Sequence, residues 1–142
     1  AMGSGGVLEA AGVSLEGDLG EVPPAVVDPD RIDQMVGNLV DNALRYTPSG
    51  GSVRLSLRAE GEQARISVTD TGPGIAAEDL PHIFERLYVA QRYRAARPEG
   101  SGLGLAIVRE LAEAMGGRVE VSSVPDRGTT ISALVPLRPP PG

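Results

Sequence analysis

Three short segments of this 142-residue chain carry groups suited to one kind of chemistry. Asn38-Leu39-Val40-Asp41-Asn42-Ala43 puts two amides four residues apart, on one side of a helix. Asp70-Thr71-Gly72-Pro73-Gly74 sets a carboxylate against a glycine turn, and Gly100-Ser101-Gly102-Leu103-Gly104-Leu105 is a glycine-rich helix start. An amide carbonyl is a neutral hard ligand that suits Mg²⁺ while phosphates bring the negative charge. A carboxylate at a strand end accepts a hydrogen bond from a 6-amino group and stands badly against a carbonyl at that position. Backbone N–H groups in the first turn of a helix bind phosphate, helped by the helix dipole. In this order, about 30 residues apart, the three are the parts of one pocket for an adenine ring, a triphosphate and Mg²⁺.

Each segment also has a plainer reading. The asparagines fit a solvated helix face, although two amides in mid-helix run against intrinsic propensity. Arg45, one turn beyond Asn42, either reaches a phosphate as a fixed cation or is a surface charge. Tyr46 offers a flat ring to a base or ordinary core packing. Asp-Xaa-Gly turns and glycine hinges are common, so position decides: Asp70 closes a strand, and Gly100 follows an arginine-rich stretch. The glycine run is not a dinucleotide fingerprint, because no first strand precedes it and no βαβ unit follows. His82, the single histidine, can build neither a metal site nor a triad and receives no role.

These groups need a scaffold, and the bulk numbers allow one. At this length one core is expected, large enough to fold without staples. Cysteine is absent, which removes disulfides, thiolate nucleophiles and sulfur metal sites. No apolar run approaches the ~18 residues of a membrane span. A net charge of −6 argues against a nucleic-acid binder, so a polyanionic ligand must be held by local cations and backbone N–H groups. Residues 1–6 read as a cloning scar, 7–138 as the folded domain and 139–142 as a disordered proline-rich tail.

Strands are expected at Val13–Leu19 and Ala25–Val27. Asp28-Pro29-Asp30 is a helix start, and Ile32, Met35, Val36, Leu39, Val40, Ala43 and Leu44 continue at helical spacing until Thr47-Pro48-Ser49-Gly50-Gly51. Val53–Ala59 and Ala64–Val68 alternate as a hairpin that delivers Asp70 to its turn. Ala76–Arg86 reads as short helical turns, and Tyr88–Gly100, with Arg92, Arg94 and Arg97, as a mobile loop. Leu103–Met115 is a second long helix stopped by Gly116-Gly117, and Arg118–Val124 and Thr129–Leu137 close the chain as strands. The expected fold is α/β, a two-layer sandwich. Its sheet is mixed, mostly antiparallel and of about five strands, with about three helices on one face.

The combination resembles the catalytic ATP-binding domain of bacterial sensor histidine kinases, within the superfamily that includes gyrase, MutL and heat-shock chaperones. Residues 38–48 match the asparagine box and 70–75 the first glycine box. Ile83-Phe84-Glu85-Arg86 matches the phenylalanine box, 100–108 the second glycine box, and Gly128-Thr129-Thr130 the closing turn. The resemblance covers residues ~10 to ~137 and implies a Bergerat-type ATP-binding fold. It implies ATP and Mg²⁺ as cofactors, Asn42 as the main Mg²⁺ ligand with Asn38 assisting, and Arg45 on phosphate. It places Tyr46 against adenine and Asp70 on the 6-amino group, with Thr129 in support through water. Gly72, Gly74, Ile75 and the run Gly100, Ser101, Gly102, Leu103, Gly104, Leu105 complete the nucleotide contacts, under a lid of residues 87–101.

Two departures mark the lid. The stretch reads Leu87-Tyr88-Val89 where the family usually has arginine after an aromatic pair, so Arg92 or Arg94 must reach the γ-phosphate. Glu99 stands where glycine is usual. The phosphoacceptor histidine is missing, so the resemblance implies a fragment of a longer kinase. It also implies partners: the kinase's own dimerisation domain and a response regulator, with the isolated domain a monomer. The parent would be anchored in the plasma membrane, with this domain on the cytoplasmic side. Two other activities compete, a superfamily ATPase and a serine-directed kinase of the anti-sigma type. The hydrolases place glutamate where Asn38 stands, and an amide cannot take a proton from water.

Overall fold

The helix carrying the two asparagines, α1 (Pro29–Tyr46), lies on a six-stranded sheet of order β1-β2-β3-β4-β6-β5. The computed structural model describes residues 7–10, 13–19, 29–93 and 102–137. Its strands are β1 (Val7–Ala10), β2 (Val13–Leu19), β3 (Ser52–Glu60), β4 (Gln63–Asp70), β5 (Arg118–Val124) and β6 (Gly128–Pro136). Among the described residues only β2 and β3 run parallel, with α1 as the crossover such a pair requires. Every other pairing is antiparallel. The edge strand β1 is not among the expected strands, and with it the described residues form six, in keeping with the expected sheet of about five.

Period-two alternation gives one apolar sheet face and one that is polar apart from the buried Leu134. Ala64, Ile66 and Val68 of β4 and Ile131, Ala133 and Val135 of β6 point inward. They meet Met35, Leu39 and Ala43 of α1, and Leu105, Val108 and Ala112 of α3 (Gly104–Ala114). Each such side chain contributes roughly 1.5–3 kcal/mol when fully buried. On the outer face Ser67 and Ser132 share a 2.8 Å hydrogen bond, flanked by Arg65 with Glu60 and Glu120.

Helix α3 ends in a left-handed glycine cap. Gly116 has φ +85°, its N–H donates to the Glu113 carbonyl, and the Gly117 N–H donates to Ala112. A Cβ at Gly117 would stand 1.8 Å from the Leu134 carbonyl oxygen, so the paired glycines also let the chain pass against β6.

Ala77–His82 is a 3-10 helix, within the expected short turns. Tyr88–Gly100, expected as loop, begins instead with a helix, α2 (Tyr88–Arg92). Five residues are too few for apolar periodicity, and contacts to a buried carboxylate hold this turn. The expected strand Ala25–Val27, the Asp28 cap, residues 1–6 and residues 139–142 lie outside the described residues.

Candidate nucleotide-binding site

Strand β4 ends at Asp70, opposite Thr129 of β6. The Gly72 N–H donates to Asp70 Oδ1 at 2.8 Å, and the Thr129 backbone N–H also donates to the carboxylate. Burial pushes the Asp70 carboxyl above the usual carboxylate range, and these two N–H bonds oppose the rise. Thr71 ties the turn to β3: its Oγ1 accepts from the Ser52 N–H at 2.8 Å, and its own N–H donates to the Ser52 carbonyl. Gly74 has φ +78°, and a Cβ there would stand 2.4 Å from the Val124 carbonyl oxygen. The β5–β6 hairpin grips the same turn from the other side. The Asp126 N–H donates to Pro73 O at 2.6 Å, and the Ile75 N–H donates to Ser123 Oγ at 2.7 Å.

Two adjoining clefts open beside this turn. The inner one holds about 630 Å³ including its mouth and is lined by Tyr46, Asp70, Pro73, Gly74, Ile75, Val89, Tyr93, Thr129 and Ile131, with Asn42 and Leu105 at its edge. That is an apolar slot with few polar groups, the usual form of a small-molecule site. The outer cleft, about 420 Å³, is more polar and carries Asn38, Asp41, Asn42, Arg45, Glu85, Gly102 and Gly104. Asn42, Tyr46, Val89 and Leu105 border both. Asn38, Asn42, Arg45 and Tyr46 share one edge of α1 because three- and four-residue steps return to the same face.

The start of α3 abuts that edge. A Cβ at Gly104 would lie 3.6 Å from Asn38 Cβ, and no side chain caps the helix. Among the described residues no hydrogen bond engages the Asn38 or Asn42 amide, so both are available to a ligand. The Arg45 guanidinium lies 5.6 Å from the Tyr46 ring centroid. Burial raises the Tyr46 hydroxyl above its ordinary value, and the Arg45 charge opposes this.

Asp79 is the residue sequence reading missed. It is 2% exposed, yet it is a carboxylate. Tyr88 donates to its Oδ1 at 2.6 Å, Arg92 Nε donates to the same oxygen at 3.2 Å, and the Tyr93 hydroxyl donates to Oδ2. Tyr88, then Tyr93 and Arg92, hold the Asp79 carboxyl below the usual carboxylate range. Tyr93 also accepts the Ala76 N–H at 3.1 Å, so its ring is fixed as a wall of the inner cleft. Arg92, expected over the phosphates, therefore sits on Asp79.

Asp79→Asn offers one oxygen to these donors in place of two, and its NH₂ opposes at least one of them. The Gln91 and Tyr93 amides, bonded to Leu87 O and Val89 O, should exchange several-fold faster in this variant, as hydrogen exchange would read. The wild type should also owe to Asp79 some stability that is present above the ordinary carboxylate pKa. That part is lost as pH falls through the lowered native value, and the variant should lack it.

The expected residues Asn38, Asn42, Arg45, Tyr46, Asp70, Gly74, Ile75, Gly102, Gly104, Leu105 and Thr129 thus border the two clefts. Gly72 sits behind Asp70, and Leu103 precedes α3. The Leu87 N–H donates to the Gly102 carbonyl at 3.2 Å, which ties the first residue of the expected lid to the residue that follows it. Arg94, Gly100 and Ser101 lie outside the described residues. His82 pairs with Glu85 at 2.7 Å and stacks on Tyr88, and it lines neither cleft. Tyr93 could have been suspected in a chain with so few aromatics. Asp79 and Ser123 carry no local signal.

A mostly antiparallel sheet covered on one face, with an acidic glycine turn facing an amide-bearing helix, defines a nucleotide-binding ATPase-type domain. Residues 27–139 match the sequence profile of the family described as histidine kinase-, DNA gyrase B-, and HSP90-like ATPase, and the chain belongs to that family. It is a catalytic ATP-binding domain of the two-component sensor histidine kinase type. It is 40% identical over 114 residues to sensor histidine kinase WalK of Bacillus subtilis, which covers 79% of this chain and 19% of WalK. The mycobacterial sensor histidine kinase MprB superposes with a TM-score of 0.70 at 32% identity, covering 89% of this chain and 86% of that one. Full-length ShkA, solved in complex with AMPPNP, gives 0.74 at 31% identity over 93% of this chain and 27% of its own. The chain thus spans about a fifth of WalK.

Proposed function

We propose that this domain binds MgATP and donates the γ-phosphate to a histidine on a separate dimerisation domain of its parent kinase. One juxtaposition carries the reading: Asp70 and Thr129 line the inner cleft, and two unengaged amides line the outer one beside a helix start with no side-chain cap. Adenine fits the first, with Asp70 on the 6-amino group and Tyr46 and Ile75 along the ring. The triphosphate fits the second, on the first-turn N–H groups of α3 with Arg45.

The donor set also fits Mg²⁺. Among the described residues no group of three or more His, Cys, Asp or Glu could hold a metal, so the ion would arrive with the phosphates and be held by Asn42 and Asn38. When bound, Mg²⁺ neutralises phosphate charge. This chain's residues otherwise orient the nucleotide and exclude water.

An imidazole nitrogen of the acceptor attacks the γ-phosphorus in line. The bond to the β–γ bridging oxygen breaks, and ADP leaves with that electron pair. The attacking nitrogen is neutral near pH 7, so no base is required from this chain. Asn38 cannot activate water, which disfavours the hydrolase reading. Residues 87–101 serve as the lid, with Arg92 and Arg94 its phosphate-facing cations once Arg92 leaves Asp79. A response regulator receives the phosphoryl group next. The isolated domain is a monomer, and the parent is anchored in the plasma membrane with this domain on the cytoplasmic side. Among the described residues no helix is long and apolar enough to cross a membrane.

Incubation with γ-labelled ATP should leave this chain unlabelled, and adding the histidine-bearing domain of its own kinase should label that partner. Turnover at ~1 s⁻¹ without any acceptor, abolished by changing one carboxylate, would establish a hydrolase instead.

A further inference from the structure

The β5–β6 hairpin contains a serine whose hydrogen bonds are fully committed. Ser123 Oγ has three partners: the Gly128 carbonyl oxygen at 2.9 Å, the Ile75 N–H at 2.7 Å and Thr129 Oγ1 at 2.8 Å. A serine hydroxyl has one proton and two lone pairs. A carbonyl can only accept and an N–H can only donate, so the serine proton lies on Gly128 O and one lone pair takes Ile75. The remaining lone pair faces Thr129, and that contact is a hydrogen bond only if Thr129 supplies the proton. Thr129 has no second proton to give, so it offers the inner cleft lone pairs alone.

We infer that Ser123 is a positioning residue that sets which base edge the cleft accepts, by holding the Thr129 hydroxyl as an acceptor. The inference rests on the proposed adenine site. Asp70, the cross-strand partner of Thr129, is also an acceptor. Both of these acceptors line the inner cleft, and together they favour a donor at the six-position of a purine, directly or through water. A six-position carbonyl meets two acceptors there, and Thr129 cannot turn to greet it while Ser123 holds its proton. Without the serine hydroxyl, Thr129 is released to rotate and donate. Discrimination between the two base edges then narrows, with the nucleotide contacts otherwise in place.

The probes are ATP and inosine triphosphate, which differ at the six-position and at the N1 proton beside it. Their affinities, each with Mg²⁺, are measured by calorimetry on the wild type, Ser123→Ala, Ser123→Thr and Thr129→Val. The wild type should prefer ATP. Ser123→Ala should narrow that ratio by about 3- to 10-fold, the worth of one neutral hydrogen bond, and Ser123→Thr should restore it. Thr129→Val should narrow it as well. Equal weakening of both ligands by Ser123→Ala, with the ratio unchanged, would make the serine a hairpin staple only and overturn the inference. Should Ser123→Ala fail to fold, an unchanged ratio in Thr129→Val overturns it equally. A wild type that binds both nucleotides alike would instead defeat the adenine site itself.

Discussion

Asn42→Ala should lose the Mg²⁺-dependent part of nucleotide binding while melting at the same temperature as the wild type or slightly above it. Asn42 borders both clefts, and among the described residues no hydrogen bond engages its amide. Its removal therefore breaks nothing in the free protein. Alanine is the better helix former by up to about 0.7 kcal/mol. For a domain of this size that is a rise of up to about 2–3 °C. Losing a direct ligand should cost more than the roughly 10–100-fold lost when an outer-shell partner of a metal is removed. Titrations with ATP, with and without Mg²⁺, separate these effects. A variant whose ATP affinity still rose with Mg²⁺ as in the wild type would show that the ion sits elsewhere.

Asp70→Asn should weaken ATP binding by about 5- to 150-fold, the equivalent of ~1–3 kcal/mol. The carboxylate accepts the Gly72 and Thr129 N–H groups from the protein while remaining an acceptor toward the cleft. An amide can satisfy only one side. With its oxygen on the protein N–H groups, its NH₂ faces the 6-amino group, donor against donor; flipped, it faces the protein donors instead.

The effect on the free protein has the opposite sign. Burial raises the native pKa of Asp70 above its unfolded value, so ionised Asp70 costs stability at neutral pH. That cost is absent below the ordinary carboxylate pKa and fully present above the raised one. Asp70→Asn removes it, so the unliganded variant should melt no lower than the wild type near pH 7. Wild-type stability should fall relative to the variant as pH climbs through that window. Equal ATP affinities by calorimetry would remove Asp70 from the base site.

Elements with a long repeat were legible in the sequence. Eighteen residues of α1 give apolar positions enough turns to declare a face, and that face fixes the edge on which Asn38, Asn42, Arg45 and Tyr46 stand. The hairpin of β3 and β4 declares itself by alternation and leaves Asp70 at its end. Helix α2 did not show itself, since its five residues are held by donors to Asp79 from Tyr88 and Arg92 and by the buried Val89. No local pattern reports a partner nine or thirteen residues away.

The sequence by itself determined which groups the site contains: two amides at helical spacing, a carboxylate at a strand end, glycines at a helix start. These follow from local rules, because periodicity and turn chemistry act within a few residues. Tertiary structure alone decided how those groups are presented. It brought Thr129 across from Asp70, turned Arg92 onto Asp79 and drew Ser123 against the glycine turn. Such contacts join residues far apart in the chain, and burial makes their pairing obligatory: a polar group withdrawn from water must find a partner wherever the fold supplies one.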